Sequence, residues 1–189
     1  MSRTLALIPL LAICGLAAAE PGAKAALPVA ICVDGQKSPW IPSGYMGETG
    51  AIHMIAESKD NPHTGATCMQ VSYAKGDGWG GVVWQHPHND WGAQPGGFNL
   101  TGAKKLAFWA RGAVGGEKVK FGFGVIGADQ PYPDTAKGEV SVELTKEWKE
   151  FSVDVPAGAD LTRIKTGFMW VVGGQGAPIA FALDDVRWE

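Results

Sequence analysis

From residue 29 onward, short apolar runs alternate with polar residues, and each run is bounded by Gly, Pro or Asn. Val29-Ala30-Ile31-Cys32-Val33 reads as a first strand. Runs over 67–73, 81–85, 105–111, 118–126, 139–144, 148–155, 166–172 and 179–188 follow, with turn signals such as 113–116 between them. No window shows the 3.6-residue period and caps of an amphipathic helix. Many short strands at this spacing predict an all-β chain, a two-sheet β-sandwich of the jelly-roll kind.

Alternation also assigns faces. Val119, Phe121, Phe123 and Val125 form one apolar set and are expected to face the core. Lys118, Lys120, Gly122 and Gly124 then face away, and the two glycines leave a bare stretch of sheet. In 105–111, Leu106, Phe108 and Ala110 form the core set, which leaves Ala107, Trp109 and Arg111 on the other face. Trp109 and Arg111 are expected to lie beside Gly122 and Gly124 as a ligand platform.

The first residues change the picture of where the domain works. Arg3, the apolar run 5–16 and Ala17-Ala18-Ala19 read as a secretory signal peptide over 1–19. The run is too short to span a bilayer. Leu11-Ala12-Ile13-Cys14 is a competing lipoprotein box that would anchor the chain through Cys14, although Ile13 stands where a small residue is needed. Residues 20–28, rich in Ala, Gly and Pro, read as a flexible leader, and 29–189 as a single domain. Export would leave two of the three cysteines, Cys32 and Cys68, in an oxidising compartment, so a disulfide is expected between them. It would close a loop of about 36 residues, worth about 3–4 kcal/mol by chain entropy. A net charge of −3 with scattered Lys and Arg gives no footprint for nucleic acid.

Aromatic content carries the candidate chemistry. The chain has eight Trp, several of them set among Gly and Asn rather than in apolar runs: Trp79 in Gly78-Trp79-Gly80 and Trp91 in Asp90-Trp91-Gly92. Sugar C–H faces stack on such rings, and rigid amphipathic side chains lose little entropy on binding. Elbow, zincin and phosphate-loop motifs are all missing from the sequence. Asp184 and Asp185 are adjacent acids inside an apolar strand, a costly placement unless paired or bound to a cation such as calcium, which takes carboxylate and carbonyl oxygens.

The ending Phe181-Ala182-Leu183-Asp184-Asp185-Val186 resembles the last strand of galactose-binding-like jelly-roll carbohydrate-binding modules, including modules that bind mixed-linkage β-glucans. The segments 61–71, 78–85, 89–92, 106–112 and 147–151 extend the resemblance over nearly all of 29–189. Small secreted bacterial proteins of this architecture are also similar. The resemblance implies polysaccharide binding without catalysis and a structural calcium. The calcium ligands it implies are Asp34 or Glu48, the carbonyls near His63 and Thr64, and Asp184 or Asp185. Sugar platforms would fall on Trp84, Trp109, Arg111, Trp170 or the rim residues Trp79, Trp91 and Tyr132. Two other functions remain open at this stage: a secreted structural or adhesive domain, and a polysaccharide-degrading enzyme on the same scaffold.

Overall fold

The computed structural model describes residues 22–189. The expected signal peptide and the Cys14 anchor lie outside the described residues. Thirteen strands are present among them: β1 (Ala23–Lys24), β2 (Val29–Cys32), β3 (Ile41–Gly47), β4 (Ile52–Ser58), β5 (Cys68–Tyr73), β6 (Trp79–Gln85), β7 (Phe98–Asn99), β8 (Lys105–Gly112), β9 (Lys118–Phe123), β10 (Gly138–Glu143), β11 (Lys149–Asp154), β12 (Thr166–Gly173) and β13 (Ile179–Trp188). A five-stranded sheet has the order β10-β9-β12-β6-β3. It faces a larger sheet, β11-β8-β13-β5-β4, in which β2 also pairs with β13. Within the segment expected to be a flexible leader, β1 pairs in parallel with β7. Among the described residues, no helix is long and apolar enough to cross a membrane.

The alternating sets meet between the two sheets. Val119, Phe121 and Phe123 of β9, with Phe168 and Trp170 of β12, face Leu106 and Phe108 of β8, with Phe181 and Leu183 of β13; all are buried. The Phe108 and Phe121 rings meet across the interface at 4.6 Å, and Trp170 meets Phe181 edge-on at 5.5 Å. Offset and edge contacts of this kind add to area burial in a close-packed interior.

β2 and β5 lie end to end along one edge of β13. Cys32 opposes Val186, Met69 opposes Leu183, and β8 occupies the other edge. The chain leaves this edge after Cys32 and returns at Cys68, having built β3 and β4 on the way. The expected bridge is not present in this structure, where Cys32 and Cys68 stand as thiols that line one cavity with Asp34 and Asp184. Burial, with Asp184 nearby, pushes the Cys32 thiol up to about 12.

Candidate functional site

Register fixes which side chains share the outward face of the five-stranded sheet, because directly opposed residues point the same way. One row runs Glu139, Gly122, Met169, Val83 and Gly44; the next runs Ser141, Lys120, Val171, Gly81 and Met46. Trp79 continues the face beside Gly173. A Cβ on Gly122 would meet Met169 Cε at 2.8 Å, and one on Gly81 would meet Met46 Cε at 3.2 Å. The glycines are therefore floor positions over which pliable methionines lie. Lys120 Nζ pairs with Glu139 Oε1 at 3.0 Å across two strands.

Exposed indoles stand near the two ends of this face. Trp79 is 48% exposed. Its ring rests beside Gly47, where a Cβ would lie 2.9 Å from Trp79 Cδ2, and Gly47 has φ of +68°. Only glycine combines that conformation with that clearance. Trp91, 39% exposed, lies past the other end of β6 in the loop 86–97. That loop folds back onto the outward-pointing Gln85. Gln85 Nε2 donates to Asp90 O at 2.9 Å, Ser43 Oγ to Gln85 Oε1 at 2.9 Å, and Asn89 N to Ser43 Oγ at 2.8 Å. Six strand steps from Trp79 to Gln85 put the two ends about 20 Å apart.

The Trp91 loop is held by buried charge. The Asp90 carboxylate accepts the amides of Gly92, Ala93 and Gln94, each at 3.1 Å, and Lys165 Nζ. The Lys165 and Asp90 side chains are only 0% and 2% exposed. Burial alone would raise the Asp90 carboxyl, but the Lys165 hydrogen bond and charge and the loop amides hold it below its ordinary value. Burial and the Lys165 charge push His86 down, and its Nδ1 accepts Gly97 N at 3.1 Å. Half-buried Tyr132 joins this knot: its amide donates to Gly92 O at 2.9 Å, and Lys165 Nζ lies 5.8 Å from its ring centroid.

The remaining expected site residues separate. Trp84 and Trp170 are core residues, at 1% and 0% exposed, and offer no platform. Trp109 and Arg111 do point away from Leu106 and Phe108, but on the opposite side of the sandwich from Gly122 and Gly124, because β8 and β9 belong to different sheets. Trp109 is also roofed: the His63 ring stacks on it at 3.7 Å and 14°. Arg111 lies over Trp148, 5.3 Å from the ring centroid. Gly124 follows β9 with φ of +75°, and a Cβ there would strike Ala136 O at 2.0 Å, so it is a turn position rather than a floor.

The expected calcium ligands divide as well. Asp34 holds the 66–67 end of the turn 63–67, and Asp184 and Asp185 hold its 63–64 end. Asp34 accepts Ala66 N, Thr67 N and Thr67 Oγ1, while Asp184 Oδ2 accepts His63 N at 2.9 Å and Thr64 N at 3.3 Å. Asp185, at φ of +50°, accepts Thr64 Oγ1 at 2.9 Å and lies 3.1 Å from His63 Nδ1. Burial pushes the Asp184 carboxyl up against these amide donors. Glu48 is elsewhere. It pairs with Lys75 at the Tyr73 end of β5, about 17 Å of strand from the Cys68 end where the other acids meet. Among the described residues, no three His, Cys, Asp or Glu side chains are grouped to hold a metal ion.

No family model matches the chain, and no curated protein matches it in sequence. Its fold does match solved structures. The family 30 carbohydrate-binding module of the cellulosomal cellulase CEL9D-CEL44B of Clostridium thermocellum superposes with a TM-score of 0.58 at 14% identity, over 82% of this chain and 94% of that one. The family 11 module of the cellulosomal cellulase Lic26A-Cel5E of the same organism gives 0.57 at 15% identity, over 87% and 95%. A family 11 module solved in complex with a β-1,3-1,4-mixed-linked tetrasaccharide gives 0.53 at 16% identity, over 87% and 96%. The chain thus has the β-sandwich fold of jelly-roll carbohydrate-binding modules, as its strand pattern and last strand led us to expect.

Proposed function

We propose that this protein is an exported, non-catalytic polysaccharide-binding module whose ligand lies along the outward face of the five-stranded sheet. The observation that carries the reading is the pair of exposed indoles, Trp79 and Trp91, near the two ends of a glycine-floored face about 20 Å long. Rigid rings at that span suit an extended chain of several sugars, and the Lys120–Glu139 pair supplies a donor and an acceptor for hydroxyls. The tetrasaccharide complex of a fold relative makes mixed-linked β-1,3-1,4 glucan the first ligand to try.

Trp79→Ala and Trp91→Ala are each expected to weaken binding of that glucan ten-fold or more in calorimetric titration. The loss of one stacking ring costs about 1–3 kcal/mol by analogy with bases on aromatics. Both variants should stay folded, since neither ring is core. A double variant that binds as wild type does would remove the ligand from this face.

Calcium enters this reading as a stabiliser. Asp34 and Asp184 border one cavity, and a divalent cation there would offset the cost of burying the Asp184 carboxylate. Added calcium is expected to raise the melting temperature in a concentration-dependent way. Superimposable melts in calcium and in chelator would end this part of the reading.

Export carries two consequences that one intact-mass measurement checks. The mature protein should lack residues 1–19 and should weigh two hydrogens less than its dithiol form, Cys32 and Cys68 having passed two electrons and two protons to a disulfide-bearing oxidant. A full-length chain with both thiols free would count against export.

A further inference from the structure

The other outward face carries a trough that the reading above leaves unused. It has a volume of about 280 Å³, near the small end of ligand pockets. Register lays out its floor and walls: Arg111, Ala182, Gln70 and Ile55 form one row across β8, β13, β5 and β4. In the next row Ala180 and Ser72 lead to His53, with Ala113 at the β8 side. Three strand spacings of about 4.8 Å make the trough about 14 Å across. Two alanines on adjacent rows leave its centre low, while Ile55, 57% exposed, gives one apolar wall.

The polar side is pre-set. Arg111 Nη2 donates to Asp60 O at 3.2 Å and lies 3.8 Å from the Asp60 carboxylate, and Trp148 holds the guanidinium by its ring face. Gln70 Nε2 donates to Asp60 Oδ2 at 2.8 Å. Arg111 Nε is buried and has no partner among the described residues. Little side-chain entropy remains to be lost here on binding. The charges nearly balance, so an anion would meet Asp60 and a cation would meet Arg111. A purely apolar ligand would strip water from both. A neutral, hydroxyl-rich ring with an apolar C–H face satisfies the donors, the acceptors and the Ala–Ile surface together.

We propose that this trough is a second saccharide site, taking one or two neutral sugar rings on the face opposite Trp79 and Trp91. It does not rest on the first site, and with it the domain would hold two glycan chains at once. The test is an amide-proton and nitrogen NMR titration of the mature protein with the mixed-linked tetrasaccharide, repeated with methyl glucoside and with glucuronate. Shifts are expected at the amides of Gln70, Ser72, Arg111, Ala113, Ala180 and Ala182 with both neutral sugars. Ala180→Leu, which fills the accessible part of the floor while keeping Arg111, should weaken that response at least ten-fold and leave any shifts around Trp79 and Trp91 intact. Shifts confined to the Trp79 and Trp91 side would overturn this proposal and leave the first reading standing. Shifts confined to the trough would do the reverse. Silence at both sites at tens of millimolar sugar would sink both. A response to glucuronate alone would overturn the neutral-sugar assignment.

Discussion

Replacing Trp170 with alanine is expected to lower the unfolding free energy by about 3–5 kcal/mol, the usual range for deleting a large buried aromatic. Trp170 lies on β12, fully buried, and reaches across the sandwich to Phe181 of β13. Its removal empties the contact between the two sheets where neither backbone can follow to fill the void. The Trp170 Nε1 hydrogen is buried and has no partner among the described residues. Trp170→Phe discards that unpaired donor while keeping a ring against Phe181, so it should cost clearly less than alanine. Trp79→Ala, by contrast, is a surface change and should stay within about 0.5 kcal/mol of wild type. Urea unfolding of the three variants at unchanged m-value checks the order. If Trp170→Ala were as mild as Trp79→Ala, the ring would not be core and the sheet faces would be inverted.

That contrast marks where the sequence could be read and where it could not. Alternation in β8 and β9 separates inside from outside because the bulky aliphatic and Phe side chains fall on one face of each. β8 lies where expected, whereas β9 ends at Phe123, so Val125, expected in the core set, lies beyond the strand and outside the core. β6 and β12 defeat the same method. Met46 and Met169 cover their outward face and the core covers the other, so every residue from Gly80 to Gln85 is buried and Trp84 cannot be placed by neighbours alone. β3 and β4 were not expected at all. β3 carries Pro42, Gly44 and a register shift, and β4 is an edge strand with mixed exposure, so neither shows a clean period of two. Trp79 and Trp91 were visible as rings among glycines, and both are exposed. The roof over Trp109 was not, because His63 arrives from a turn distant in sequence and only the sheet order brings it there. Lys165 gave no signal either: in Ile164-Lys165-Thr166 it looks like any solvated lysine entering a strand.

Lys165 is nevertheless expected to be one of the costliest surface-type residues to replace. Lys165→Met should destabilise the domain by about 3–5 kcal/mol, the range for breaking a buried ion pair from one side. The methionine fills the same channel, so the cost is electrostatic: it leaves the Asp90 carboxylate buried without its cation and Gln94 O without its donor. Asp90→Ala should cost at least as much, because it also orphans the amides of Gly92, Ala93 and Gln94. For the same reason the double variant should not return to wild-type stability, as a simple pair replaced by apolar residues often does. A double-mutant cycle should still show coupling of about 0.5–3 kcal/mol. The acid side gives an independent sign. The Asp90 carboxyl lies below its ordinary value when folded, so its contribution is present above the unfolded value of 3.8 and is lost as pH falls through the folded one. Lys165→Met removes the main partner that lowers it, so the stability gap between variant and wild type should be wide at pH 7 and narrow as acid protonates the carboxyl, first in the variant and then in the wild type. Because Asp90 anchors the loop that presents Trp91, glucan affinity should fall in Lys165→Met even where the variant is fully folded, and Lys165→Arg should recover little of it. A cavity cut for one ammonium has no room for a planar guanidinium with five donors. Equal stability of Lys165→Met and wild type at neutral pH would show that the pair does not hold the loop.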